Sequence, residues 1–165
     1  MAVVSFTRHQ NIPGDPSHIW AFFANPLNLS LITPPYMRFR TLTDLTLLPD
    51  KIYPGQLIEY RLRPFPLFSV RWVTEIMLVS EGVCFVDEQR RGPYRLWHHE
   101  HYFRPVPGGV EMTDVVSYEV PFGWIGRLAN ALFVRRQVNG IFDYRSREIG
   151  KLFNPGGGGY VFPTP

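Results

Sequence analysis

The sequence predicts an α+β fold in which an antiparallel β-sheet packs against one long helix. Apolar and polar residues alternate through most of residues 36–120, which is typical of strands with one buried face. Short Pro/Gly turns separate these strands and favour antiparallel hairpins. After Pro121 the apolar residues recur at helical spacing. With 165 residues the chain suits a single domain, which we expect to cover residues 1–153.

A first strand is predicted at residues 3–10, followed by two short helices. Asp15 suits the N-cap of the first helix, Ser17–Phe23, because its carboxylate can accept hydrogen bonds from free backbone amides. Pro16 suits the first helical position. The second short helix is predicted at residues 25–32. Six further strands are predicted at residues 36–42, 56–62, 69–79, 83–90, 95–105 and 109–120.

One long amphipathic helix is predicted over Gly126–Leu152. The apolar stripe of this segment comprises Trp124, Leu128, Ala131, Val134, Val138, Ile141, Phe142, Ile149 and Leu152. The sheet is the only large partner available, so we expect the whole stripe to lie on it. Residues 154–165 are rich in Gly and Pro and are predicted to form a flexible tail.

Composition and charge argue against several classes of protein. The net charge is only +3 and no run of Lys or Arg is present, so we expect no nucleic-acid partner. The single cysteine, Cys84, excludes an internal disulfide and a Cys-based zinc site. We find no signal-peptide pattern and no apolar stretch long enough to span a bilayer. A cytoplasmic protein without stable membrane insertion is therefore expected.

The most informative motif is Trp97-His98-His99-Glu100-His101-Tyr102-Phe103. Read as a strand, it places Trp97, His99, His101 and Phe103 on one face. Large aromatic side chains are unfavourable on a face exposed to water, and two histidines are unfavourable in a core made only of apolar residues. The mixture therefore indicates the wall of a pocket.

Several spaced motifs resemble the SRPBCC superfamily, the Bet v 1-like and START-like ligand-binding proteins, and within it the bacterial cyclase/dehydrase-like branch. The resemblance covers about residues 3–153. It implies a helix-grip fold, in which a curved seven-stranded antiparallel sheet wraps around the C-terminal helix and leaves a cavity. The motifs are Asn28-Leu29, Ile32-Thr33-Pro34-Pro35, Trp72 to Ile76, Phe85-Val86-Asp87-Glu88-Gln89, Gly92-Pro93-Tyr94, Trp97-x-His99-x-His101-x-Phe103, Met112-Thr113-Asp114 and Ile141-Phe142-x-Tyr144-Arg145.

Strand alternation within such a fold predicts which residues face the cavity. Among the wall residues we expect Met37, Phe39, Ile58, Leu62, Thr74 and Leu78 to point inward. The predicted ligand-binding residues are Tyr60, Trp72, Ile76, Phe85, Gln89, Trp97, His99, His101, Phe103, Tyr118, Val138, Phe142 and Arg145.

Hairpin register supplies partners for the two histidines. The Gly92-Pro93 turn can set Asp87 across from His99 and Gln89 across from Trp97, and the next turn can set Asp114 opposite His101. Such pairs often satisfy each other's buried polar atoms, which is the first interpretation, and the alternatives are that they orient a ligand or exchange protons. His-x-His with a neighbouring carboxylate also matches Zn or Fe ligation. The resemblance brings no habitual metal, so neither a metal nor a cofactor is predicted.

Arg145 lies within the apolar stripe of the long helix, where an unpaired charge is costly. We expect an ion pair with Asp87, Asp114 or Glu75. The other interpretation is a clamp for an acidic or carbonyl-bearing ligand.

Two functions of different class follow from these residues. The first is binding of a hydrophobic small molecule, such as a lipid, an isoprenoid or a polyketide-like compound, by a monomer or homodimer. The second is an enzyme resembling polyketide cyclases and aromatases, with His99, His101, Asp87 and Asp114 as candidate catalytic residues and Arg145 polarising a carbonyl. A structural or interaction role is a third possibility, on which the residues say little.

Overall fold

A computed structural model describes residues 3–44, 51–65 and 68–154, and residues 155–165 of the predicted tail lie outside them. Along the chain, one strand is followed by a helical segment, then by six strands and then by a long helix. The strands are β1 (Val4–Pro13), β2 (Arg40–Thr41), β3 (Leu57–Phe65), β4 (Phe68–Ser80), β5 (Cys84–Arg91), β6 (Leu96–Val106) and β7 (Gly109–Glu119). The helices are α1 (Pro16–Ala24), two 3₁₀ segments (Pro26–Ile32 and Pro35–Met37), α2 (Gly123–Ala129), a π-helical turn (Asn130–Val134) and α3 (Arg135–Phe153).

All seven strands form one antiparallel sheet in the order β1-β7-β6-β5-β4-β3-β2. The first strand therefore pairs with the last, so that Val4 lies opposite Tyr118 and Ile12 opposite Val110. The other neighbours from β2 to β7 follow chain order. The predicted seven-stranded antiparallel sheet is confirmed.

The predicted start of α1 is confirmed in detail. Asp15 has an extended backbone, and its Oδ1 accepts hydrogen bonds from the amides of Ser17 at 2.8 Å and His18 at 3.2 Å. Pro16 occupies the first turn, where its missing amide costs nothing.

The strand predicted at residues 36–42 is wrong over most of its length. Pro35–Met37 forms a 3₁₀ turn, and Arg38 then adopts a left-handed backbone with φ of 44°. Only Arg40–Thr41 pairs with β3. Two successive prolines start a tight turn more readily than they start a strand, because each fixes φ and lacks an amide donor.

The inward position predicted for Leu78 is also wrong, and Leu78 is exposed. Pairing between β4 and β5 shifts between Ile76 and Leu78, so that one extra residue lies on β4. This β-bulge reverses the alternation, because side chains on a strand have a period of two.

The long C-terminal helix is confirmed, but only half of its predicted stripe faces the sheet. Val138, Phe142 and Ile149 on α3 are buried, whereas Trp124 and Leu128 on α2 are exposed. The π-helical turn between α2 and α3 inserts one residue into the helical repeat, which rotates everything before it by about 100° relative to a regular helix. The sequence pattern assumes an uninterrupted repeat and therefore misplaces the first half.

The core lies between the inner face of the sheet and the helices. Its larger part packs α1 and the 3₁₀ segments on the middle strands around residues such as Ile19, Phe22 and Phe103. A smaller part packs α3 on β7 through Val116, Val138 and Phe142. Among the described residues, none of the helices is long and apolar enough to cross a bilayer.

Candidate functional site

A cavity of about 180 Å³ lies between the inner face of the sheet, the helical segment after β1, and α3. Apolar cavities of about 150 Å³ are large enough to bind a benzene-sized guest. Ten of the predicted ligand-binding residues line it, namely Tyr60, Trp72, Ile76, Phe85, Trp97, His99, His101, Val138, Phe142 and Arg145.

Three predicted ligand-binding residues lie away from the lining. Gln89 instead donates its side-chain amide to the carbonyl of Tyr94 at 2.6 Å. Phe103 packs edge-on against Trp20 with a ring-centroid distance of 5.3 Å. The Tyr118 hydroxyl donates to Oδ1 of Asn130 at 2.9 Å. These residues support the hairpin, the α1 contact and the start of the long helix respectively.

Part of the lining was missed by the sequence reasoning. The helical segment after β1 contributes Phe22, Phe23, Asn28 and Ile32. The helical spacing of Ile19, Phe22 and Phe23 signals one buried face, but it does not show that this face closes a cavity. Tyr94, from the β5–β6 turn, was read only as part of a hairpin and also lines the site.

Three aromatic rings form one end of the lining. Trp72 meets Trp97 edge-on with centroids 5.4 Å apart, and Tyr94 lies 5.0 Å from Trp97. The Trp72 indole N–H donates to the Thr74 hydroxyl at 2.9 Å, which satisfies its one polar group. Trp72 can therefore contact an apolar guest without leaving its own polar atom unpaired.

The polar part of the cavity comes from β5, β6 and β7. The backbone register is confirmed, with Asp87 opposite His99 and His101 opposite Asp114. Both histidines and Asp114 are buried.

The side chains nevertheless choose different partners from those predicted. His99 Nε2 lies 3.0 Å from Asp114 Oδ1, on the diagonal from its own position, and not on Asp87. His101 Nδ1 lies 2.8 Å from the same Asp114 oxygen, although off the direction needed for a full hydrogen bond. His101 Nε2 lies 3.9 Å from Asp87 Oδ1. Diagonal neighbours on a sheet are within reach of such side chains, so a correct register does not fix the pairing.

This arrangement drives the two histidines apart in pKa. Burial and the neighbouring His101 lower the pKa of His99 to about 4, despite the hydrogen bond to Asp114. Burial also opposes charge on His101, but the carboxylates of Asp114 and Asp87 outweigh it and raise the His101 pKa. At neutral pH His99 is therefore a neutral imidazole beside a more basic one.

Both carboxyl groups are held in their ionised form. Burial alone would raise the pKa of Asp114, but His101 and His99 outweigh it and hold that pKa well below its usual range. Burial acts in the same way on Asp87, and His101, His99 and Arg145 together bring its pKa below the ordinary value. The cluster is thus built of two carboxylates sharing two imidazoles.

Arg145 reaches this cluster from α3 without closing an ion pair. Among the described residues, no carboxylate lies within ion-pair distance of its guanidinium, so the predicted pair with Asp87, Asp114 or Glu75 is absent. Glu75 pairs with Arg90 instead. The Arg145 guanidinium carbon lies 5.0 Å from the Phe142 ring centroid, and its Nε is buried with no hydrogen-bond partner. The Nε–H group of Arg145 is therefore a hydrogen-bond donor in the cavity wall that a ligand oxygen can accept from.

Asp87, His99 and His101 could also hold a metal ion. One ligand atom from each lies within 4.8 Å of the others. Imidazole and carboxylate ligands suit Zn or Fe. The positive charge of Arg145 acts on Asp87 and opposes a cation there. The expectation that no metal is bound stays a prediction.

Comparison with known proteins identifies the fold. No family model matches the sequence, and no curated protein matches it. Protein CV1439 from Chromobacterium violaceum superposes with a TM-score of 0.68 at 11% identity over 92% of this chain and 97% of that one. Ginseng major latex-like protein 151 from Panax ginseng gives 0.66 at 11% identity over 93% and 99%. Ara h 8.0201 gives 0.60 at 13% identity over 90% and 98%.

These matches cover nearly all of each chain. The cyclase/dehydrase-like branch is not tested by them and stays a prediction. The chain has the helix-grip fold of these proteins, which is the fold that the resemblance to the SRPBCC, or Bet v 1-like, superfamily implies.

Proposed function

We propose that the protein binds a hydrophobic small molecule that carries a carbonyl or carboxylate group. The observation that carries this proposal is the buried, unpartnered Nε of Arg145 in a wall that is mostly aromatic and aliphatic. An unsatisfied buried donor is costly, and a ligand oxygen removes that cost. Lipids, isoprenoids and polyketide-like compounds combine such an oxygen with a large apolar surface.

The shape of the site supports the same class of ligand. The Trp72, Tyr94 and Trp97 rings suit a flat or branched apolar body, while Arg145 and the Asp/His cluster suit its oxygen-bearing end. Few polar groups in a concave apolar pocket are typical of sites that orient one end of a ligand.

Calorimetric titration with two probes tests the proposal. We expect 2-naphthoate to bind to the wild-type protein more tightly than its uncharged analogue 2-methylnaphthalene. Arg145→Met should weaken 2-naphthoate at least tenfold, as expected for loss of a charge-assisted hydrogen bond. The same variant should leave 2-methylnaphthalene unchanged.

Arg147→Met is the matched control, because Arg147 is exposed on the same helix. It should leave both affinities unchanged. If neither probe binds, the proposal that the cavity binds hydrophobic small molecules is wrong. If Arg145→Met and Arg147→Met lose the same affinity for 2-naphthoate, the proposed role of Arg145 is wrong.

The split pKa values of His99 and His101 favour a second candidate, an enzyme that moves protons next to a carbonyl. Neutral His99 would accept a proton from carbon, the more basic His101 would return one when protonated, and Arg145 would polarise the carbonyl oxygen. Such steps underlie aldol closure and dehydration in cyclase-type enzymes.

Deuterium exchange distinguishes the enzyme from the receptacle. We expect an enzyme to speed the exchange of the α-hydrogens of 1-(2-naphthyl)butane-1,3-dione in D₂O, followed by NMR. His99→Gln should abolish the acceleration while the diketone still binds. If the protein binds the diketone but does not speed the exchange, the proposal of an enzyme is wrong and the proposal of a binding protein stands.

A further inference from the structure

The first half of the long helix turns its apolar side chains to solvent. We call this surface the α2 face, and it consists of Phe122, Trp124, Ile125, Leu128, Leu132 and Phe133. Trp124 is 69% exposed, Leu132 57% and Phe133 64%. Single exposed apolar residues are ordinary, but a contiguous group on one element marks an interaction surface.

The charged residues of the helical segment that carries the α2 face are all of one sign. Arg127, Arg135 and Arg136 are exposed, and no Asp or Glu occurs between Glu119 and Asp143. The two flanking carboxylates face basic partners of their own, since Glu119 lies 3.7 Å from Arg95 and Asp143 lies 2.9 Å from Arg8. The α2 face is therefore apolar with a basic rim.

We propose that the α2 face docks on an anionic lipid surface. Trp, Phe and Leu side chains enter the boundary between headgroups and acyl chains, while arginines contact anionic headgroups. No membrane-spanning helix is required for such peripheral contact, because the helix lies in the plane of the interface.

A second copy of the chain fits this face less well. A symmetric dimer would place Arg127, Arg135 and Arg136 of one copy near the same arginines of the other. The face offers no carboxylate to neutralise them. Lipid phosphates supply the charge that another copy lacks.

The α2 face also adjoins the cavity. Phe133 lies one turn before Gln137, which lines the cavity and donates a hydrogen bond to the carbonyl of Pro64 on β3. Docking would therefore bring one side of the cavity close to the lipid, although it does not depend on what the cavity holds.

Vesicle co-sedimentation tests the proposal. We expect the full chain to bind to vesicles of mixed phosphatidylcholine and phosphatidylglycerol, and to bind much less to phosphatidylcholine alone. Leu128→Ser combined with Leu132→Ser should weaken binding at least tenfold, because two leucines no longer leave water. Arg135→Gln should weaken binding to the anionic vesicles by about fivefold.

Leu57→Ser is the matched control, since Leu57 is 55% exposed on β3, far from α2 in the sequence. It should bind like the wild-type protein. Because all these residues are exposed, the melting temperature of each variant should stay unchanged, which separates docking from folding. A wild-type protein that ignores both vesicle types would overturn the proposal. So would a dimer, seen by sedimentation velocity, that dissociates in the double leucine variant.

Discussion

At the scale of the residue, Asp114 connects the chemistry of the site to the stability of the sheet. One of its oxygens lies near Nε2 of His99 and Nδ1 of His101. A single carboxylate therefore accepts a hydrogen bond from one buried ring and favours the protonated form of the other. Removing one partner from a buried charged group is far more costly than removing an exposed pair, because the other partner stays desolvated.

Asp114→Asn should lower the free energy of unfolding by about 3 kcal/mol or more, because His101 loses its neighbouring charge inside the protein. The matched control is Asp143→Asn, which breaks the exposed pair with Arg8 and should cost less than about 1 kcal/mol. Urea denaturation measures both. Similar losses in the two variants would show that the cluster is not energetically special.

The pKa of His99 predicts how stability depends on pH. Its pKa is about 4 in the folded protein, against about 6.5 in the unfolded chain. Between these values the unfolded state binds the extra proton, so stability falls as the pH falls from about 6.5 towards about 4. His101 has a raised pKa, so its contribution is present below about pH 6.5 and is lost as the pH rises through its folded pKa.

His99→Gln should therefore flatten the acid side of the stability curve. The slope of the free energy of unfolding against pH, between pH 6.5 and 4, should fall by up to about 1.4 kcal/mol per pH unit. That value corresponds to one proton bound on unfolding. Denaturation at a series of pH values measures the slope. An unchanged slope in the variant would mean that His99 titrates normally in the folded protein.

The sequence predicted the residues of this cluster and their register, but not their side-chain partners. Register follows from hairpin length and from a period of two, both of which are visible in the sequence. The choice of Asp114 over Asp87 by His99 depends on strand twist and on rotamers. The ion pair expected for Arg145 is absent for the same reason, whereas the alternative expectation, a clamp for an acidic or carbonyl-bearing ligand, is compatible with its unpartnered Nε.

At the scale of the element, the long helix has two different halves. α3 buries Val138, Phe142 and Ile149 against the sheet, whereas α2 exposes Trp124 and Leu128. The helix itself could be predicted, because apolar spacing shows a helix wherever it is regular. The π-helical turn could not, because no single residue type marks it.

Replacing one phenylalanine in each half of this helix should change the free energy of unfolding by different amounts. Phe142→Ala should lower the free energy of unfolding by about 3–5 kcal/mol, because Phe142 is 3% exposed and its loss leaves a cavity. Phe133→Ala should change it by less than about 0.5 kcal/mol, because Phe133 is 64% exposed. Chemical denaturation of both variants checks this, and a large loss in Phe133→Ala would place that ring in the core.

At the scale of the whole molecule, the pairing of β1 with β7 joins the first strand of the sheet to the last. Every other strand pair from β2 to β7 joins neighbours in sequence. Contacts between distant residues form late in folding because loop closure costs entropy first. We expect the β4–β5 hairpin to form before β1 joins the sheet.

Folding kinetics can test this order with two buried isoleucines, Ile12 on β1 and Ile76 on β4. Ile12→Ala should mainly speed unfolding, with a φ-value near 0, whereas Ile76→Ala should slow folding and give a larger φ-value. Stopped-flow denaturant chevrons measure both. A higher φ-value for Ile12 would show that the first and last strands pair early.

The π-helical turn has a consequence for how this protein can evolve. Because the turn holds one residue more than a regular helix needs, losing a single codon within residues 130–134 would restore an unbroken α-helix. The wide turn and a regular turn rotate the chain by about the same angle, so each half of the helix would keep its orientation. Trp124 and Leu128 would still face solvent, and Val138 and Phe142 would still face the sheet. Three nucleotides can therefore be gained or lost at this point by inheritance while the exposed apolar surface of the protein stays the same.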